Sequence, residues 1–213
     1  MKPARVALVC IASALPFLTA CAPIILGGAA LTGMVASDRR TSGSQLEDQG
    51  IEMRAAARIR EQLPERNHIN TSSYNRRLLL TGEVPTEAQR QQAERIAQGV
   101  ENVVQVYNEL AVMPNSGISN RSGDTLVTTR VKSALVDAKD LYANSVVVTT
   151  ERSVVYLMGR VTQRESARIV DIAATTKGVF KVVNLMEIIS EEELQRLLPQ
   201  ATPTTQAPKK AEQ

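Results

Sequence analysis

The chain repeats itself, and that repeat limits the folds open to it more than any other feature. Residues 48–110 and 124–189 carry the same patterns in the same order. In the first copy Ile51, Ala55, Ile59 and Leu63 recur at helical spacing. They are followed by a strand-like Ile69-Asn70-Thr71 and by residues 77–84, which end in Gly82-Glu83-Val84. In the second copy Val127, Val131 and Leu135 lead to Val146-Val147-Val148-Thr149 and to residues 154–161, which end in Gly159-Arg160-Val161. A polar turn and a second helical pattern follow each Gly-x-Val, with Ala93, Ile96 and Ala97 in one copy and Ala167, Val170 and Ala174 in the other. Gly99 and Gly178 suit helix C-caps. The last strands are expected over 100–110 and 179–189, with Val103-Val104 answering Val182-Val183.

The switch of apolar period from about 3.6 to 2 marks each boundary and gives helix, strand, strand, helix, strand, twice. The fold class is therefore α+β: two tandem αββαβ modules, each a three-stranded mixed sheet with one apolar face packed against two helices. Modules of roughly 65 residues have marginal cores, so pairing would help them. We place the modules at 45–113 and 124–190. Residues 114–123, with Asn, Ser and Gly, form a linker that leaves the orientation of the modules free. Residues 191–213 comprise a short helix opened by Glu191-Glu192-Glu193 and a Pro, Thr, Gln and Lys tail too polar to fold.

The N-terminus sets the compartment. Lys2 and Arg5 precede an apolar run over 6–18 that is too short to span a bilayer, and Leu18-Thr19-Ala20-Cys21 follows it. This pattern resembles a bacterial lipobox, which implies a signal peptide over 1–20 and acylation of Cys21. Ala22 after the cysteine implies export to the outer membrane. Residues 21–44 then form a lipidated tether, Gly- and Ala-rich over 22–37 and flexible over 38–44. Without the leader, 23 basic residues face 22 acidic ones, so a nucleic-acid partner is not expected. Cys10 leaves with the leader, so no disulfide or thiol nucleophile is expected.

The doubled Gly-x-Val module behind a lipobox resembles the BON domain family, in particular its two-domain outer-membrane lipoproteins. Asn108-Glu109, Asp124-Thr125 and Val148-Thr149-Thr150-Glu151 fit that resemblance. It implies a protein facing the periplasm that binds anionic phospholipid, phosphatidylglycerol and cardiolipin, and that supports envelope integrity.

Residue chemistry argues against an enzyme. His68 stands alone between helix and strand and reads as a solvated turn residue, without the converging ligands of a metal site. The glycines belong to no phosphate-cradling loop. No catalytic residue, cofactor or metal is expected. Charge points to the second module: residues 45–113 hold 8 basic and 10 acidic groups, residues 124–190 hold 9 and 7. Asp124 is expected to N-cap a helix running to about Asp137. Its core stripe leaves Leu126, Arg130 and Ser133 on one flank and Thr129 and Lys132 on the other, a pattern suited to shallow insertion beside anionic headgroups. The residues alone leave open that Leu126 packs on the first module; the resemblance favours lipid. The alternative is an adaptor for outer-membrane assembly or cell-wall proteins, joined through a sheet edge.

Overall fold

The computed structural model describes residues 38–63, 67–114 and 118–197. The expected leader over 1–20, Cys21, the expected tether over 22–37 and the expected tail from 198 lie outside the described residues. No helix among the described residues is long and apolar enough to cross a membrane.

The first module runs α1 (Ser42–Gln62), β1 (His68–Tyr74), β2 (Arg77–Val84), α2 (Glu87–Gln98), β3 (Gln105–Asn108) and β4 (Ala111–Val112). The second runs α3 (Ile118–Asp137), β5 (Val146–Glu151), β6 (Val154–Val161), α4 (Gln163–Thr175), β7 (Lys181–Asn184) and β8 (Glu187–Ile188), and α5 (Glu191–Leu197) follows. In each, the first two strands form an antiparallel hairpin, and the later pair lies parallel to the second strand. The expected three strands are thus four. The break falls just after Asn108 and Asn184, whose Oδ1 atoms turn back to accept from the backbone of Leu110 and Met186. Helix starts are capped by threonine, Thr86 at α2 and Thr162 at α4, where Glu165 completes a capping box.

Two helix-facing cores form, and the stripes expected on the first helix of each module lie in them. On α4 the buried apolar positions are Ile169 and Ala173 and not the expected Ala167, Val170 and Ala174: Ala167 and Ala174 face solvent and Val170 is only partly buried. Ile51, Ala55, Leu78, Leu80 and Val84 lie in one; Val131, Leu135, Val155, Leu157 and Ile169 lie in the other. The register of the two repeats differs from expectation. Arg77 pairs with Gln105 and Val154 with Lys181, so Val182-Val183 answers Val106-Tyr107, not Val103-Val104. Gly99 caps α2, but Thr176 caps α4. Gly178 (φ 99°) instead answers Asn102 (φ 66°), both left-handed.

Each sheet is also apolar on its other face. Tyr74, Leu79, Tyr156 and Met158 form a third buried cluster that joins the modules sheet to sheet. The layers are therefore helices, sheet, sheet, helices, which replaces the free orientation expected across 114–123. Burial pushes the Tyr74 and Tyr156 hydroxyls up to about 12. Strands β1 and β5 cross this junction antiparallel: Asn70 Nδ2 donates to Glu151 Oε2 at 2.9 Å, Ser72 Oγ meets Thr149 Oγ1 at 3.4 Å, and Tyr74 OH reaches the Ser145 carbonyl at 3.5 Å. Ser72 and Thr149 stand at equal distances in sequence before Gly82 and Gly159, so equivalent positions meet as they do on a two-fold axis.

One end of the junction is closed by the segment just before α1. The flexible connection expected over 38–44 is instead a strap. Arg39, 6% exposed, grips Glu165 through two hydrogen bonds of 2.7 and 2.8 Å and donates to the Arg160 carbonyl at 2.7 Å. Arg40 pairs with Asp38 and Asp48 and lies 4.2 Å from the centre of the Tyr74 ring. Burial raises the Glu165 carboxyl, but hydrogen bonds from Arg39 and the Thr162 backbone outweigh it and hold the group below its ordinary 4.5. A group depressed by folding stabilises above its unfolded value and loses that contribution as pH falls through the folded one. Arg39→Gln is therefore expected to cost about 2 kcal/mol at neutral pH. The gap between variant and parent, measured by urea unfolding, should be full above about pH 4.5 and shrink below it. An unchanging gap down to pH 3 contradicts this account.

Candidate functional site

Helix α3 begins at Ile118, within the stretch expected to be linker, so Asp124 is not its N-cap. Asp124 is buried mid-helix, and its two carboxylate oxygens accept the backbone N–H groups of Arg152 and Ser153 at 2.8 Å each. Asp48 of α1 does the same for Asn75 and Arg76, also at 2.8 Å. Those four hairpin residues all have positive φ. They form two-residue turns of the mirror-image type, built without glycine. A buried carboxylate from the first helix of each module holds the hairpin shut. Sequence reading missed Asp48 altogether and misassigned its counterpart.

The solvent face of α3 carries every residue expected on it. Leu126, Thr129, Arg130, Lys132 and Ser133 are exposed, Leu126 to 56%, while Val127, Val131 and Leu135 are buried beneath. Leu126 does not pack on the first module. Between α3 and the segment after α4 lies a groove of about 500 Å³, lined by Leu126, Val127, Arg130, Arg152, Ser153 and Gly178 among others. The Arg130 guanidinium reaches across to the Lys177 carbonyl at 3.4 Å. Phe180 follows, 85% exposed, its backbone N–H held by the Ser153 carbonyl at 2.8 Å. Lys177 and Lys181 flank it and are exposed. Phe180 was missed because its strand pattern reads as core. Only its place two residues after the turn glycine Gly178 hinted otherwise.

His68 is not a solvated turn residue. It opens β1 opposite Glu83, and its Nδ1 lies 3.1 Å from Glu83 Oε2. Glu83 is fully buried, and Glu151 of the other module, 3% exposed, completes a group whose ligand atoms lie within 4.8 Å of one another. Burial raises the Glu151 carboxyl. Asn70 and His68 pull it back, while Glu83 and Asp124 add to the rise. The acidic start of α5 is as expected: Ser190 Oγ accepts from the Glu193 backbone at 3.1 Å, and the Glu193 side chain pairs with Arg160.

Two α+β modules packed back to back, each with a Gly-x-Val strand end, define a tandem-repeat α+β protein, and the BON domain pattern matches it at residues 48–114 and 123–190. The chain belongs to the BON domain family. It is 36% identical over 175 residues to the outer membrane lipoprotein DolP of Haemophilus influenzae, covering 81% of this chain and 91% of that one. It is 32% identical to a 21 kDa hemolysin of Actinobacillus pleuropneumoniae, covering 71% of this chain and 79% of that protein. The osmotically-inducible protein Y of Escherichia coli is 29% identical, covering 70% and 77% respectively.

Proposed function

We propose that this is a non-catalytic envelope lipoprotein, anchored in the outer membrane through acylated Cys21 and facing the periplasm. Its second module binds anionic phospholipid, such as phosphatidylglycerol or cardiolipin, and so supports the integrity of that membrane. The observation that carries the reading is two exposed apolar side chains of the second module, Leu126 in the groove beside Arg130 and Phe180 two residues after the groove's Gly178, with exposed Lys177 and Lys181 near Phe180 in the chain. Two apolar tips set among cations suit a headgroup layer, the tips entering the acyl boundary and the cations meeting phosphate. Likeness to an outer membrane lipoprotein over most of both chains supports the compartment. The Cys21 anchor would supply the second attachment signal that stable membrane binding needs.

Each basic group near an anionic surface contributes about 1 kcal/mol, and a buried Leu or Phe about 1.5–3 kcal/mol. Phe180→Asp and Leu126→Asp are each expected to weaken binding to phosphatidylglycerol vesicles at least tenfold, without changing the fold. NMR shift changes should cluster at 125–136 and 177–181 with anionic micelles, fade with salt, and be absent with zwitterionic ones. Equal shifts with both lipids, or none, would instead favour the protein adaptor.

A further inference from the structure

The two ends of the junction are unequal. Around the approximate two-fold, His68, Glu83 and Glu151 at one end correspond to Ser145, Arg160 and Tyr74 at the other. The second end is filled by guanidinium groups, Arg39 on the Arg160 carbonyl and Arg40 over Tyr74. The first end has two buried carboxylates and an imidazole, but its nearest guanidinium stands off. Arg152 stays 3.7 Å from Glu83 Oε1 and donates to the Gly82 carbonyl instead. That oxygen is buried and receives no hydrogen bond among the described residues. Oε1 thus has only the distant Arg152 ion pair, and a wholly buried carboxylate with one oxygen lacking a hydrogen bond is costly, a cost that a cation bound to that carboxylate would offset.

We propose that His68, Glu83 and Glu151 form a binding site for a divalent transition-metal ion of the zinc class, which ties the two modules together at this end of their junction. The ligands come from the start of β1, the end of β2 and the end of β5, so the ion bridges both sheets. Zinc takes nitrogen and carboxylate donors at about 2.0–2.2 Å, which sets tetrahedral donors about 3.3 Å apart. His68 Nδ1 and Glu83 Oε2, at 3.1 Å, already have that separation. Rotation of the Glu151 side chain brings in the third donor, and Asn70 Nδ2, 2.9 Å from Glu151 Oε2, orients it as an outer-shell partner. A cleft of about 300 Å³, lined by His68, Asn70, Arg121, Asp124 and Glu151 among others, opens onto two of the three ligands, from which an ion and a water for its fourth position would enter. An imidazole donor selects zinc, copper or nickel over magnesium and calcium. The inference is independent of the lipid reading, because the site lies at the module junction and not on the exposed face of α3.

The test is Zn²⁺ titration of the full chain in non-ionic detergent, by calorimetry and thermal unfolding, with Mg²⁺ as control. One saturable Zn²⁺ equivalent that raises the Tm is expected, with no response to Mg²⁺. Glu83→Gln, Glu151→Gln and His68→Ala should each weaken binding at least tenfold and abolish the thermal shift. Glu151→Gln keeps an oxygen for Asn70, so its loss of zinc cannot be blamed on unfolding. Failure of the folded parent to bind a saturable equivalent overturns the proposal. Binding that survives in all three variants overturns it equally, because the ion then sits elsewhere.

Discussion

Replacing Gly82 by alanine is expected to destabilise the chain by about 5 kcal/mol, an exceptional cost for one methyl group. Gly82 has φ 113°, which L side chains rarely adopt, and an added Cβ falls 2.0 Å from the His68 carbonyl oxygen. That oxygen belongs to the neighbouring strand backbone, so no side chain can swing aside; β1 itself must move, and with it the pairing of Ile69 to Gly82. Gly159 occupies the same place in the second module, where the Cβ meets the Ser145 carbonyl at 2.5 Å. Its substitution should cost less because its φ is not left-handed. Gly99 tests the argument from the other side. It has φ −81° at the end of α2, and the nearest atoms to an added Cβ lie at 3.5 and 3.6 Å. Gly99→Ala should therefore stabilise by about 0.5 kcal/mol through the unfolded chain. Urea midpoints of the three variants check all of this. A cost below 1 kcal/mol for Gly82→Ala would show that the strands are not held as described.

The element order was legible because the apolar period changes at every boundary, and the glycine of each Gly-x-Val was legible as a structural position. The second apolar face of each sheet was there to read but was not read. Leu78-Leu79-Leu80 and Val155-Tyr156-Leu157-Met158 are continuous apolar runs, the mark of strands covered on both sides. The repeat register slipped because glycine was matched to glycine. Asn tolerates the left-handed region, so Asn102 and Gly178 answer one another without looking alike. The linker expectation failed for a related reason. Composition at 118–123 favours a loop, yet α3 runs through it, since helix propensity is only a weak prior.

The candidate surface divides in the same way. Helical spacing was enough to bring Leu126, Thr129, Arg130, Lys132 and Ser133 to one exposed face, since each lies off the Val127, Val131 and Leu135 stripe. Phe180 and the His68 cluster needed three dimensions. Glu151 is far from His68 in sequence and joins it only because the sheets pack face to face. The strap was hidden too, for Arg39-Arg40 looks like any polar linker until Glu165 and Tyr74 are placed beside it.

Asp48→Ala is expected to cost about 4 kcal/mol, and Asp124→Ala about 3 kcal/mol. Each removal strands two backbone N–H groups, and a lost hydrogen bond to a charged partner is worth about 1.5–3 kcal/mol. Asp48 also accepts from Ser73 Oγ and pairs with Arg40, both at 2.8 Å, which makes its loss the larger. The asparagine variants separate the carboxylate from its shape. Asn keeps one oxygen for one N–H but turns an NH₂ toward the other, donor against donor, so Asp48→Asn and Asp124→Asn should lose most of what alanine loses. Packing alone predicts near-neutral asparagines. The turn offers a further handle, since Ser153 stands at φ 59° and a non-glycine residue there costs about 1–2 kcal/mol. Ser153→Gly should therefore return about 1 kcal/mol to the Asp124→Ala chain. If the clamp supplied only hydrogen bonds, glycine would help the parent equally. A larger gain in the Asp124→Ala background, read from a double-mutant cycle of urea unfolding, would mean that the carboxylate also holds the turn in its left-handed conformation. That is the outcome expected from two oxygens gripping two successive N–H groups.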